Sequence, residues 1–239
     1  MSKKTKIWLI IATFFIVIGA SIFASAMTIN NWDFTKLATT VKYKTNRQID
    51  DKFSNILIET DTEDIVFALS QNGKCEVVCY EEENVYYSAE VVDETLTIKQ
   101  IDERNWYEYV GITMGKSDII VYLPENEYKN LSIRESTGDI NIPKDFKFKN
   151  IDISISTGDI KNSASADIIK IKTDTGDVKL DKCDAKEIFV KTDTGDVTGS
   201  FLTPKVFITK TDTGDIDVPK SIRGGRCEIE TETGDIKFN

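Results

Sequence analysis

Six copies of Thr-Gly-Asp followed by Ile or Val set a column of carboxylates through the second half of this 239-residue chain: Asp139, Asp159, Asp177, Asp196, Asp215 and Asp235. A second acidic column stands two residues before the glycines, at Asp174, Asp193, Asp212 and Glu232. Rows of carboxylates suit Ca²⁺, which takes about six to eight oxygen ligands. They also suit a turn, where Asp accepts hydrogen bonds from corner N–H groups. Stacked at strand spacing, neighbouring carboxylates repel by about 0.9 kcal/mol even in full water screening, so something must offset them. Lys172, Lys191 and Lys210 stand two residues before Asp174, Asp193 and Asp212, on the same outward face. Known calcium β-rolls use a nonapeptide richer in glycine. The local answer is preferred: Gly138, Asp139, Gly158, Asp159, Gly176, Asp177, Gly195, Asp196, Gly214, Asp215, Gly234 and Asp235 are expected to be structural corners, with no metal or cofactor.

Catalysis has little support. The chain has no histidine, which excludes imidazole acid–base, triad and imidazole–metal chemistry. No P-loop, dinucleotide fingerprint or CxxC is present. Paired acids cleave polysaccharide in glycosidases, but these acids recur in every repeat, whereas an active site breaks a repeat at one place. A non-enzymatic binding or scaffolding element is expected. The competing classes are an enzyme on envelope polysaccharide, which unlike acids clustered at one coil would favour, and a calcium-dependent adhesive rod. A different candidate is the aromatic cluster Trp106, Tyr107 and Tyr109. Such a cluster can form a partner-binding platform, or it can cover an open core end, as a stacked-repeat protein requires; the cover is the preferred reading.

The elements that position these residues follow from the spacing. The glycines of the six copies are 20, 18, 19, 19 and 20 residues apart, the period of one supersecondary unit stacked on copies of itself. Seven residues before the glycines stand Leu131, Ile151, Ile169, Ile188, Phe207 and Cys227; five before stand Ile133, Ile153, Ile171, Val190, Thr209 and Ile229. Period-two spacing in β-branched residues predicts a strand with one buried face. The next apolar column, Ile140, Ile160, Val178, Val197, Ile216 and Ile236, is three steps beyond the last threonine, so the chain must turn at Gly-Asp. Identical positions stacking about 4.8 Å apart, with right-handed parallel crossovers, give an all-β fold: a right-handed parallel β-solenoid of ~19-residue coils. Ile56, Ile58, Thr60, Thr62, Ile65 and Phe67 match the same columns one coil upstream, with Glu63 at the glycine position. Strands are also expected over residues 75–80, 85–92, 95–99 and 118–123. The last coil in sequence should close the far end, with Phe238 and Asn239.

Lys3, Lys4 and Lys6 precede an apolar run over residues 7–27, about 31 Å as a helix and enough for a bilayer core. Positive-inside bias then places the rest outside the cytoplasm. A cleaved signal peptide is the rival, since Ala24-Ser25-Ala26 has the form of a cleavage site, but Ile22 and Phe23 extend the run beyond what a signal needs. The expected organisation is a transmembrane anchor at 1–27, a juxtamembrane linker at 28–52, an irregular β entrance at 53–130 and regular coils at 131–239, on the cell membrane as a single-pass protein with its C-terminal domain extracytoplasmic. Net charge is −10, and residues 28–239 carry 27 basic and 40 acidic side chains. That balance disfavours nucleic acid and anionic polymers as partners; an envelope protein or glycan remains, met along the coil sides or at the Trp106 end. Cys75 and Cys79 lie about 13 Å apart along one strand and cannot bridge each other. Cys183 and Cys227 are three coils apart in a sequential stack, so free, mostly buried thiols are expected.

The residues that carry a family resemblance are now all in view: Trp32-Asp33-Phe34 after the anchor, Lys74-Cys75-Glu76-Val77-Val78-Cys79-Tyr80-Glu81, the Ile120-Val121-Tyr122-Leu123-Pro124 strand end, and the Ser/Asp-Thr-Gly-Asp-Ile/Val coils. They resemble the putative-adhesin family of domains of unknown function in bacterial cell-envelope proteins, over almost the whole region after the anchor. The resemblance implies a right-handed β-solenoid, commonly membrane-anchored in Gram-positive bacteria, with some relatives encoded beside envelope-stress sensing systems. It implies no catalytic residues.

Overall fold

A computed structural model of the chain describes residues 2–33, 40–106, 113–114 and 117–239. It divides into two compact units, residues 1–41 with 105–114, and residues 42–104 with 115–239. Of the residues singled out above, Phe34, Tyr107 and Tyr109 lie outside the described residues.

The apolar run of the first unit forms α1 (Lys3–Ile29), capped by Ser2, whose Oγ accepts the Thr5 amide at 3.2 Å. Hydroxyls of Thr13, Ser21, Ser25 and Thr28 each donate to the carbonyl four residues back at 2.8 Å, so the few polar side chains are satisfied within the helix. Its length, and a mean hydropathy of 2.6 over its most apolar stretch, are sufficient to cross a membrane.

The strands follow in chain order. The first nine are β1 (Thr40–Val41), β2 (Tyr43–Ile49), β3 (Asn55–Glu59), β4 (Asp64–Leu69), β5 (Cys75–Glu81), β6 (Val85–Val92), β7 (Thr95–Asp102), β8 (Thr113–Met114) and β9 (Asp118–Leu123). The six repeats supply β10 (Glu127–Thr137) with β11 (Ile140–Ile142), β12 (Lys147–Thr157) with β13 (Ile160–Asn162), β14 (Ile168–Thr175) with β15 (Val178–Cys183), β16 (Glu187–Thr194) with β17 (Val197–Phe201), β18 (Lys205–Thr213) with β19 (Ile216–Asp217), and β20 (Gly225–Thr233) with β21 (Ile236–Phe238). In the first unit, β1 pairs parallel with β8.

In the second unit, every repeat puts its first strand into a nine-stranded sheet and its second into a ten-stranded one. Within the repeats all pairing is parallel and, apart from a bulge at Lys182 between β15 and β17, in column register: Leu131 lies beside Ile151, and Ile151 beside Ile169. The segment with Glu63 joins the same columns, Ile56 beside Leu131 and Ile65 beside Ile140. Side chains of one face fill the space between the sheets, where the Leu131, Ile133 and Ile140 columns are buried in every repeat but the fifth; each such aliphatic group contributes about 1.5–3 kcal/mol on burial. The opposite end is antiparallel, with β2 on β5, β5 on β9 and β6 on β7. The architecture is therefore mostly β, with mixed parallel and antiparallel sheets.

Two placements differ from the sequence reading. The last repeat does not close the stack: β20 pairs with both β16 and β18, and β21 with both β17 and β19. The sixth repeat is inserted between the fourth and the fifth, which makes the fifth the end. The side chains explain the order. Thr209 replaces the aliphatic of its column, so the fifth repeat has least to lose at an edge, while Cys227, Ile229, Ile236 and Phe238 of the sixth are buried. Secondly, Tyr43–Ile49, expected within a linker, is strand β2. Its inner face carries Thr45 and Arg47 beside Ile49, so apolar alternation is absent; Arg47 instead reaches the buried Glu81 carboxylate at 2.6 Å.

Candidate functional site

At each Thr-Gly-Asp corner the glycine holds a φ between 145° and 151°, in the region L side chains avoid. Its amide donates forward to the threonine carbonyl of the next repeat in space: Gly158 to Thr175 and Gly195 to Thr233, both at 2.9 Å. The aspartate works in the other direction. Asp139 N donates to Asp64 Oδ1 at 2.9 Å, Asp159 N to Asp139 Oδ1 at 2.8 Å, Asp177 N to Asp159 Oδ1 at 2.8 Å and Asp196 N to Asp177 Oδ1 at 2.8 Å. The ladder then follows the spatial order, with Asp235 N on Asp196 Oδ1 at 2.7 Å and Asp215 N on Asp235 Oδ1 at 2.8 Å. Each link sets an amide against a carboxylate, a charge-assisted bond that offsets the repulsion along the column. Asp235 shows the effect: the Asp215 amide, then Lys237, holds its carboxyl below the usual range.

Threonine hydroxyls brace the same corners from inside. Thr192 Oγ1 donates to Gly176 O at 3.4 Å, Thr231 to Gly195 O at 3.2 Å and Thr211 to Gly234 O at 3.0 Å. Thr173 Oγ1 is buried without a hydrogen-bond partner. Outside, Lys172 lies 3.5 Å from Asp174, while Lys210 lies 3.6 Å from Asp212 and 3.0 Å from Glu230.

The corner that lacks glycine is built differently. Glu63 is buried, and its Oε2 accepts the amides of Asp61 and Thr62 at 3.3 and 3.0 Å. Glu63 N donates to Glu135 Oε1 at 3.2 Å, and Thr60 Oγ1 to the same oxygen at 3.3 Å. Glu135 is only 8% exposed, and burial pushes its carboxyl up to about 8. Sequence reasoning passed over Glu135, although it stands in the inward column that Ile155, Thr173 and Thr192 occupy further on. A ladder of Asn55, Asn130 and Asn150, each amide donating to the previous side-chain oxygen at 2.8 Å, was passed over too.

Trp106 belongs to the first unit and is 80% exposed. Cys75, Cys79, Cys183 and Cys227 are free and buried, and burial pushes each thiol up to about 12. Among the described residues, no group of three or more His, Cys, Asp or Glu side chains converges as a metal would require. Five of the six corner aspartates, all but Asp215, each accept a neighbouring aspartate amide on Oδ1, a bond that holds repeat to repeat.

The chain is similar to a putative cell adhesion protein from Clostridium sporogenes ATCC 15579, at 12% identity and TM-score 0.49, over 82% of this chain and 98% of that one. A putative adhesin from Bacteroides fragilis NCTC 9343 aligns at 16% identity and TM-score 0.49, over 82% and 97%. No curated protein matches. Family and residue content are consistent with a non-enzymatic protein. The model of the toastrack DUF4097 family matches residues 53–239, and the chain belongs to that family.

Proposed function

We propose that this protein is a membrane-anchored, extracytoplasmic, right-handed parallel β-solenoid that serves as a non-catalytic, adhesin-like binding or scaffolding element of the bacterial cell envelope. The observation that carries the reading is the aspartate ladder: the same inter-repeat bond recurs from Asp64 to Asp215, so the repeated acids act as structure and the repeats as an extended surface. The alternation of each repeat between two sheets supports the solenoid, and parallel crossovers of this kind are right-handed. Lys3, Lys4 and Lys6 ahead of α1 support the orientation.

The binding face is the outer side of the nine-stranded sheet. A shallow groove of about 450 Å³ runs there past Lys170, Lys172, Lys191 and Phe189, with Glu228 and Glu230 on its far side. It sets Arg134, Lys170, Lys172 and Lys191 among the carboxylates of Asp152, Glu228 and Glu230 beside a partly exposed ring, a mixed-charge surface that suits a polar envelope partner. The test is capture of crosslinked partners from envelopes by the full chain, set against a triple variant Lys170→Glu, Lys172→Glu and Lys191→Glu. Loss of the captured species in the variant, with its melting unchanged, is expected; equal capture overturns the assignment of this face. Protease added to wall-less cells should remove the protein, and high salt should leave it in the membrane fraction.

A further inference from the structure

The insertion of the sixth repeat leaves the fifth as an open end. Ile216 is 45% exposed, whereas Ile236 and Val197 in the same column are 0% exposed. Leu202, Ile208 and Ile222 are exposed around it, and Phe207 is only half-buried, packed on Phe201 and Phe238. β18 and β19 are edge strands of their sheets, each paired on one side only. Edges of this kind are normally blunted by proline, bulges, very short strands or charged side chains. β18 contains no proline, and its outward charges, Lys210 and Asp212, are opposite in sign.

We propose that this end is a self-association surface, on which a second copy of the chain docks by antiparallel two-fold pairing of β18 with its counterpart. Three observations select a second copy. First, the edge is self-complementary: a two-fold at Thr211 sets Lys210 of each copy opposite Asp212 of the other, and Thr209 opposite Thr213, a favoured cross-strand pair. Secondly, the charge suits it. With Lys205 buried against Asp184, residues 202–224 present three basic side chains (Lys210, Lys220 and Arg223) and three acidic ones (Asp212, Asp215 and Asp217), so two copies of a strongly acidic chain meet where each is close to neutral. Thirdly, the opposite end offers no match: the sheets finish there on antiparallel β2 and β6, and β2 presents Lys44, Asn46 and Gln48 outward. Association therefore closes at two copies instead of growing into fibres.

An edge about 30 Å long across two sheets about 10 Å apart buries under about 1,000 Å² in total, the low end of specific interfaces. The dimer is correspondingly weak, micromolar or above in Kd. It does not depend on the envelope-binding reading, because it uses a different surface. The experiment is sedimentation velocity of the full chain in detergent micelles from about 1 μM to about 1 mM, with the variants Ile208→Lys, Ile216→Lys and Val92→Lys, the last an exposed residue on β6 at the other end. Concentration-dependent dimerisation is expected in the wild type and in Val92→Lys, and loss of the dimer, with β-sheet circular dichroism retained, in the two edge variants. A wild type that stays monomeric throughout, a dimer that survives both edge substitutions, or open-ended polymers each overturns the proposal. If an edge variant unfolds, a Thr211→Cys variant decides instead: oxidation should trap a disulfide-linked pair, and absence of that pair counts against the two-fold.

Discussion

Gly195 is the sharpest place to perturb the stack. A Cβ built there runs into the Gly176 carbonyl oxygen, and lies 2.6 Å from the Gly176 carbonyl carbon and 3.2 Å from Asp177 N. All three atoms are backbone, held by the ladder on which Asp196 N meets Asp177 Oδ1, so no flexible side chain yields. The φ of 150° adds a conformational cost of about 1–3 kcal/mol for a residue with a Cβ. Forcing the repeats apart adds about 1–3 kcal/mol, as overpacking does. Gly195→Ala should therefore lose about 2–6 kcal/mol, a large share of the stability of a domain, and move the urea midpoint with little change in m. Gly73→Ala is the internal standard: its φ is also positive, at 72°, but nothing lies within 4 Å of the added methyl, so it pays about 1–2 kcal/mol of backbone strain alone. Lys191→Ala, on the outward face, should cost under about 1 kcal/mol. Urea unfolding of the full chain followed at a β-sheet wavelength measures all three. Equal losses for Gly195→Ala and Gly73→Ala would refute the close backbone approach as the reason for glycine.

Lys205 is 2% exposed and forms an ion pair with Asp184 at the crossover into the fifth repeat. Burial raises the Asp184 carboxyl, but Lys205 and Thr203 outweigh it and hold the group below its usual range. Asp184→Ala strands a buried ammonium and should cost about 3–5 kcal/mol, whereas Lys205→Met should cost clearly less; denaturation of both variants shows the order. Thr173→Val removes a buried hydroxyl without a partner and should be neutral or stabilise by about 1 kcal/mol, read as a rise in urea midpoint. Glu135, up to about 8 in the folded chain, keeps its proton where the unfolded chain has lost it. Its contribution is full below the unfolded carboxyl pKa and is lost as pH rises from about 4.5 to about 8, with a slope of up to about 1.4 kcal/mol per pH unit. Glu135→Gln should flatten that stretch of the stability curve. Millimolar calcium should leave the melting temperature unchanged, since a site held at 100 times its dissociation constant would add about 2.7 kcal/mol.

Much of the β architecture was legible because its signal is local and repeated. The inward columns were counted from the glycines, and Leu131, Ile151 and Ile169 do lie side by side. The strands over 75–80, 85–92 and 118–123 were visible because each is a short run rich in β-branched and aromatic residues. The order of the last two repeats was not. Stacking depends on column identity, and near-identical repeats fit one another in either order, so the choice falls to small differences. Thr209 in an aliphatic column was one such difference, and Pro204 and Gly224-Gly225, where the chain crosses between repeats, were others. β2 escaped for a related reason: the Arg47–Glu81 ion pair takes the place of an apolar contact, and periodicity measures apolarity alone.

The acidic columns hold the wider point about reading chemistry from spacing. A row of carboxylates at constant interval looks like a ligand set as long as only the side chains are counted. The amides complete the count. Every corner that presents a carboxylate also presents the N–H of that same aspartate, and a shift of one repeat brings the two together at 2.7–2.9 Å. Donor and acceptor thus travel in one residue, which is why the motif can be copied without limit and why each new copy needs no new partner. The arrangement ends only where copying ends. Asp215 receives no aspartate amide among the described residues, and its carboxylate stands at the same edge as Ile216 and β18. The rule that makes the interior self-sufficient therefore leaves its last carboxylate, its last edge strand and its least covered aliphatic side chain together on one surface, so that surface, rather than the repeated corners, is where recognition has unspent hydrogen-bonding and apolar groups to use.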